Sequence, residues 1–123
     1  MGITSNIESI LVITGSLTAT MLIQFIAPSW VVRHTFGEPP SGPVSTMFAR
    51  HWGLLLFCIG ALLFYSAFHP ELRKPAVVFA SLEKIGFVAC VFGTSLRRRP
   101  MASIMAAGDA VMIIIFMLYL AGL

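Results

Sequence analysis

Four long apolar runs, separated by short charged or proline-bearing segments, set the pattern of this chain. The interval between Glu8 and Arg33 holds 24 uncharged residues, and that between Arg50 and Glu71 holds 20 with histidine counted as neutral. From Lys74 to Arg97 there are 22 residues, uncharged except for Glu83 and Lys84. The last 24, Pro100 to Leu123, contain one charge, Asp109. A helix needs about 20 mostly apolar residues to cross the hydrocarbon core of a bilayer, so each interval predicts one span. The fold class expected is all-α, an integral membrane four-helix bundle forming a single transmembrane domain over residues 1–123.

The boundaries carry their own signals. Ser5-Asn6-Ile7-Glu8 reads as a capping box, with Ser5 as N-cap and Glu8 reaching back to the free amide. Pro28 stops the first run, and Pro43-Val44-Ser45 opens a second helix at Ser45. Pro70 closes that helix, while Pro75 and Pro100 take first-turn positions where a missing amide costs little. The predicted helices lie near residues 6–27, 45–68, 76–96 and 101–121. The 28–44 segment holds four of the seven prolines and is expected to be an interfacial loop anchored by Trp30. The first run is read as a span rather than a leader, because Met1 to Asn6 carry no basic residue.

Composition sharpens this picture. The chain is 58% hydrophobic and 11% charged, with a mean hydropathy of +0.92. Soluble domains carry about a quarter charged residues, which excludes a soluble enzyme, a disordered chain and a disulfide scaffold. The net charge of +3 comes from basic residues placed between apolar runs, including Arg97-Arg98-Arg99. That placement points to membrane orientation and anionic-lipid contact rather than to nucleic acid. The first and third connections hold five Lys or Arg, the second holds two, and the tails none. This predicts both termini outside. Cys58 and Cys90 lack CxxC spacing and read as small buried hydrophobes.

Ionisable groups at membrane depth cost several kcal/mol unless paired, and mark candidate sites. Glu83 sits mid-way along the third span, on a face with Phe79, Gly86, Phe87 and Cys90, which suggests that it points inward. Lys84 is a quarter-turn away, free to snorkel or to pair with a neighbouring helix. Asp109 shares a face with Met105, Met112 and Phe116. In the second span His51, Cys58 and Tyr65 recur every seven residues as one polar stripe. Gln24 lies at the depth of Arg50 and His51. With alternating helix directions, Arg50 and Asp109 occupy similar depths, and this is the ion pair expected. The candidate ligand-binding set is Gln24, Arg50, His51, Tyr65, Glu83, Lys84 and Asp109. Glu83, Asp109 and His51 are the candidates for catalysis. Small residues, among them Gly15, Ala19, Gly53, Gly60, Gly86 and Gly93, supply the close packing that holds helices together in lipid.

No Walker loop, GxSxG, HExxH or paired Cys-His set is present, and no metal site is expected. His34 and His51 share one side, as axial haem ligation requires, but no cofactor is predicted. The residues Arg50-His51-Trp52-Gly53, Gly60, Pro70-Glu71-Leu72-Arg73-Lys74-Pro75, Glu83-Lys84 and Ala107-Gly108-Asp109-Ala110 resemble the DoxX-like group of small four-helix bacterial membrane proteins. The resemblance covers roughly residues 45–120. It implies a bacterial inner-membrane location and association with redox complexes, quinone-linked systems or partner stabilisation, and carries over no catalytic set. The function expected is binding of a lipid-like or quinone-like molecule at an intramembrane polar cluster, or service as an accessory subunit of a larger membrane complex. One alternative is a small membrane enzyme doing acid–base chemistry, isomerisation or cyclisation, on an apolar substrate. Glu83 or Asp109 would then be the acid or base, His51 its partner and Arg50 the anchor. A second is a proton-coupled transporter working as a dimer. Membrane lipids, an apolar ligand, a membrane protein partner or a second copy are the partners these readings admit.

Overall fold

A computed structural model describes residues 2–122; Met1 and Leu123 lie outside the described residues. The chain forms α1 (Ile7–Ala19), α2 (Leu22–Ile26), α3 (Pro28–Phe36), α4 (Pro43–Ala67), α5 (Arg73–Phe92) and α6 (Pro100–Leu120). Short 3-10 turns precede α1 and lie on either side of α5. No strand is present among the described residues. Four segments are long and apolar enough to cross a membrane: Ile7–Ile26, Pro43–Ala67, Pro70–Phe92 and Pro100–Leu120. The protein is an all-α, multi-pass membrane bundle.

Two local expectations fail. The 28–44 segment is not a continuous loop, because residues Pro28–Phe36 form α3. Pro28 occupies a first-turn position and starts this helix instead of merely ending the one before. Gly37 closes it at φ +87, with its amide bonded to the Arg33 carbonyl at 2.9 Å, a left-handed cap that favours glycine. Buried Pro28, Val31 and Thr35 fall on one face, while Trp30, Arg33 and His34 are exposed. The capping box fails too. Asn6 is the N-cap and makes no capping bond, and Ser5 Oγ binds the Gly2 backbone instead. The preceding 3-10 turn, residues Thr4–Asn6, moves Ser5 inside a turn, so its hydroxyl answers the local backbone.

The first span is bent between α1 and α2. Met21, Ile23 and Gln24 bond to carbonyls three residues back rather than four. The hydroxyls of Thr14, Thr18 and Thr20 all bond to backbone carbonyls of the turn before them, a pattern that bends helices. This tightened stretch turns α2 onto the start of α4. There Gln24 Nε2 donates to the Ala49 carbonyl at 2.7 Å, and Arg50 Nη1 donates to the Phe25 carbonyl at 3.1 Å.

Close approach of backbones joins α1–α2 to α4. A Cβ on Gly15 would lie 2.6 Å from the Phe64 amide nitrogen, and one on Gly53 would lie 2.7 Å from the Phe25 nitrogen. Gly60 faces Ala19 and Gly15 just as tightly. In lipid, where hiding Leu from solvent gains little, such contacts and the dispersion they allow hold helices together. Because Gly53, Gly60 and Ala67 form the packing face of α4, the stripe His51, Cys58 and Tyr65 falls on the opposite side and is exposed. Cys58 and Cys90 are exposed as well, against the expectation of burial. The other end of α4 is closed by Arg73, which donates to the Ser66 and Ala67 carbonyls at 3.2 and 2.6 Å.

Two apolar cores result. One, near the chain ends, joins Ile7, Leu11, Leu63, Ala67, Ala76, Val77, Ala80 and Phe116. The other joins Phe87, Val91, Ala102 and Ala106, with Phe36 and Trp52 packed against it. On α5 and α6 the positions between these two cores carry Glu83, Lys84 and Asp109. The site therefore lies at mid-depth.

Candidate functional site

Lys84 is the centre of the cluster. It is only 2% exposed, and its Nζ donates to Thr18 Oγ1 at 3.1 Å and to Asp109 Oδ1 at 3.2 Å. Thr18 is ready to accept because its own proton is spent on the Thr14 carbonyl at 2.8 Å. One ammonium thus ties α1, α5 and α6 together. Glu83, next in the chain, comes within 3.8 Å of Nζ through Oε1, an ion pair without a hydrogen bond. Glu83 Oε1 is buried with no hydrogen-bond partner among the described residues. Such an orphaned acceptor in a low-dielectric site is costly.

Glu83, Lys84 and Asp109 line a cavity. α1 and α6 scarcely touch, and the gap between them is a cavity of about 290 Å³. Its walls are Leu17, Thr18, Thr20 and Met21 on the first span, and Trp52 and Leu56 on α4. Glu83, Lys84 and Phe87 of α5 and Met105, Gly108, Asp109 and Met112 of α6 complete it. Exposed Leu17, Thr20 and Gly108 lie on these facing walls, so the rim opens sideways between two spans, where lipid lies. Glu83 also lines a second cavity of about 430 Å³, with Phe36, Trp52, Gly86, Phe87, Cys90, Val91 and Leu96. Trp52 and Phe87 line both, with their rings 5.6 Å apart. Glu83, Trp52 and Phe87 are thus shared by the two cavities.

The expected Arg50–Asp109 pair is not formed. The reason is helix order, since α4 packs on α1 and α2 while α6 packs on α5. Arg50 turns to the Phe25 carbonyl, and Asp109 finds Lys84. Of the seven sequence candidates, Glu83, Lys84 and Asp109 are brought together. Gln24 is buried, but it braces α2 against α4. His51 is exposed and lines neither cavity. Tyr65 is exposed, stacks on His69 at 3.9 Å, and borders a shallow groove between α1 and α4. The inward face proposed for Glu83 is divided, since Phe87 is buried while Phe79, Gly86 and Cys90 are exposed. Sequence reasoning missed Thr18, Trp52 and Gly108. Thr18 stands two turns before Gln24 in a run of three threonines, the one signal that could have drawn notice.

Gln24→Leu should cost about 1 kcal/mol, the usual net worth of one hydrogen bond, whereas His51→Gln should leave stability unchanged. Thermal unfolding of the detergent-purified protein reads both. No group of three His, Cys, Asp or Glu placed to hold a metal occurs among the described residues.

Comparison with family models, with curated proteins and with solved structures gives no match.

Proposed function

We propose that the protein binds an apolar small molecule within the membrane, a lipid-like or quinone-like body, with its polar end held at Glu83, Lys84 and Asp109. The observation that carries this reading is that Glu83, Lys84 and Asp109 together line an otherwise mostly apolar cavity that opens toward lipid. An accessory role alone would be served by a fully paired interior, whereas Glu83 Oε1 has no hydrogen-bond partner among the described residues. The acid–base alternative loses the partner it needed, because His51 lies outside the cavity. The resemblance to DoxX-like proteins supports placing the chain in a bacterial inner membrane. The distribution of Lys and Arg supports termini on the outer side. Cysteines placed at positions 37 and 98, in a background without Cys58 and Cys90, should both be labelled from the cytoplasmic side only. Labelling from outside would reverse the orientation.

Gly108 offers the direct test. It lines the cavity, and a Cβ there meets nothing within 4 Å. Gly108→Leu should fill the mouth between α1 and α6 without a clash, and replacing a mid-helix glycine tends to stabilise the helix. The expected result is a protein at least as stable as wild type that no longer takes up an apolar photo-crosslinking probe, such as a diazirine-bearing long-chain alcohol. Equal cross-linking in the two proteins would refute the reading.

A further inference from the structure

The charges in the cavity do not balance. Three ionisable side chains line it, Glu83, Lys84 and Asp109, so two carboxyl groups face one ammonium. Thr18 and Asp109 take the Lys84 hydrogen bonds, which leaves the Glu83 carboxyl as the excess. Apart from the Lys84 ammonium, 3.8 Å from Glu83 Oε1 and shared with Asp109, the elements around it supply no positive charge to the cavity. The first span contributes Leu17, Thr18, Thr20 and Met21 to the cavity, and α4 contributes Trp52 and Leu56, none of them ionisable. In the second cavity, α3 and the turn after α5 supply Phe36 and Leu96, and α5 supplies Cys90. Two carboxyl groups on one ammonium leave the site short of one positive charge, which a proton or a cationic ligand can supply.

Resting on the binding function proposed above, the geometry points to a narrower ligand class: a lipophilic cation, an apolar body bearing an ammonium, which takes the place of the Glu83 proton. The rings of Trp52 and Phe87, which line the same cavity as Glu83, suit an ammonium, which aromatic faces attract. The exchange balances in charge. The O–H bond of the Glu83 carboxyl breaks, its proton passes to water, and the ligand's positive charge replaces it beside the carboxylate. Cation affinity then rises with pH, because a protonated Glu83 competes with the cation and an ionised one holds it.

The test compares 4-phenylbutyl-trimethylammonium with its neutral isostere, in which a tert-butyl group replaces the trimethylammonium. Binding to the full-length protein is measured by calorimetry in two buffers of different ionisation heat. Wild type is expected to bind the cation about tenfold or more tightly than the isostere, in line with a desolvated cation–aromatic contact beside a carboxylate. It should release a proton as it does so. Glu83→Gln, which keeps the side-chain shape, should bring the two affinities together. Equal affinities in wild type, no proton release, or a preference that survives in Glu83→Gln would overturn the cation assignment. If both compounds bind wild type equally and Gly108→Leu blocks both, the cavity still takes apolar ligands and only the charge assignment falls. If wild type binds neither, the binding function itself falls and this inference with it.

Discussion

Lys84→Met should be the most damaging single change in the polar cluster, with a loss of about 3–5 kcal/mol, the usual result of removing one partner from a buried ion pair. Lys84 is almost fully buried and is the one cation on Asp109 and Glu83. Without it, two carboxyl groups line one largely apolar cavity with no counter-charge beside them. Asp109→Asn should cost less, because Lys84 keeps Thr18 and the neighbouring Glu83. The double change Lys84→Met with Asp109→Leu should recover part of the loss of Lys84→Met, since apolar replacement of a whole buried pair is often neutral or better. Thermal unfolding of the purified variants in one detergent gives the comparison. Additive losses would mean that the pair is not coupled.

Gly60→Leu should separate α1 from α4 and prevent recovery of a folded protein. A Cβ at position 60 would already lie 2.6 Å from the Gly15 carbonyl oxygen and still closer to the Ala19 backbone. These are backbone atoms, so no side chain can rotate away, and the helices themselves must part. The contacts that close approach allows are the main attraction between spans in lipid. Gly86→Leu is the control. Gly86 also sits mid-helix among apolar neighbours, but a Cβ there meets nothing within 4 Å. Yield and monodispersity after size-exclusion chromatography should collapse for Gly60→Leu and stay normal for Gly86→Leu.

How much of this could be read from the residues depended on the kind of information required. Spacing of charges located all four spans to within a few residues, because bilayer thickness sets length directly. Local caps were harder. Pro28 looked like a stop and is a start, since proline at a first-turn position suits the helix it begins as well as ending the one before. The α3 pattern was present in Pro28, Val31, Thr35 and Gly37, but four prolines in one segment masked it. In the site, the candidate residues were legible and their adjacency was not. Helix order around a bundle is not encoded in position along each span, so the cation that meets Asp109 is Lys84, while Arg50 meets the Phe25 carbonyl. The stripe of His51, Cys58 and Tyr65 misled for a related reason. Polar residues at heptad spacing mark one face, and only the placement of Gly53 and Gly60 says which face packs.

The cavity itself had no signature in the sequence. It exists because α1 and α6 make few contacts, and small Gly108 leaves the space between them open. Those are properties of helix geometry rather than of any motif. Thr18 escaped notice for the same reason, since its role depends on Lys84 reaching across from α5.

The central claim is that the cluster of Glu83, Lys84 and Asp109 on the cavity wall holds the polar end of a membrane-borne molecule. A high-resolution map of the protein, extracted with its native lipid into nanodiscs, tests it most directly. The account expects elongated non-protein density between α1 and α6, running from the rim at Leu17 and Gly108 inward, with its polar end at hydrogen-bond distance from Glu83. A cavity closed by α6 moving against α1, with Glu83 Oε1 bonded to a protein donor, would contradict it.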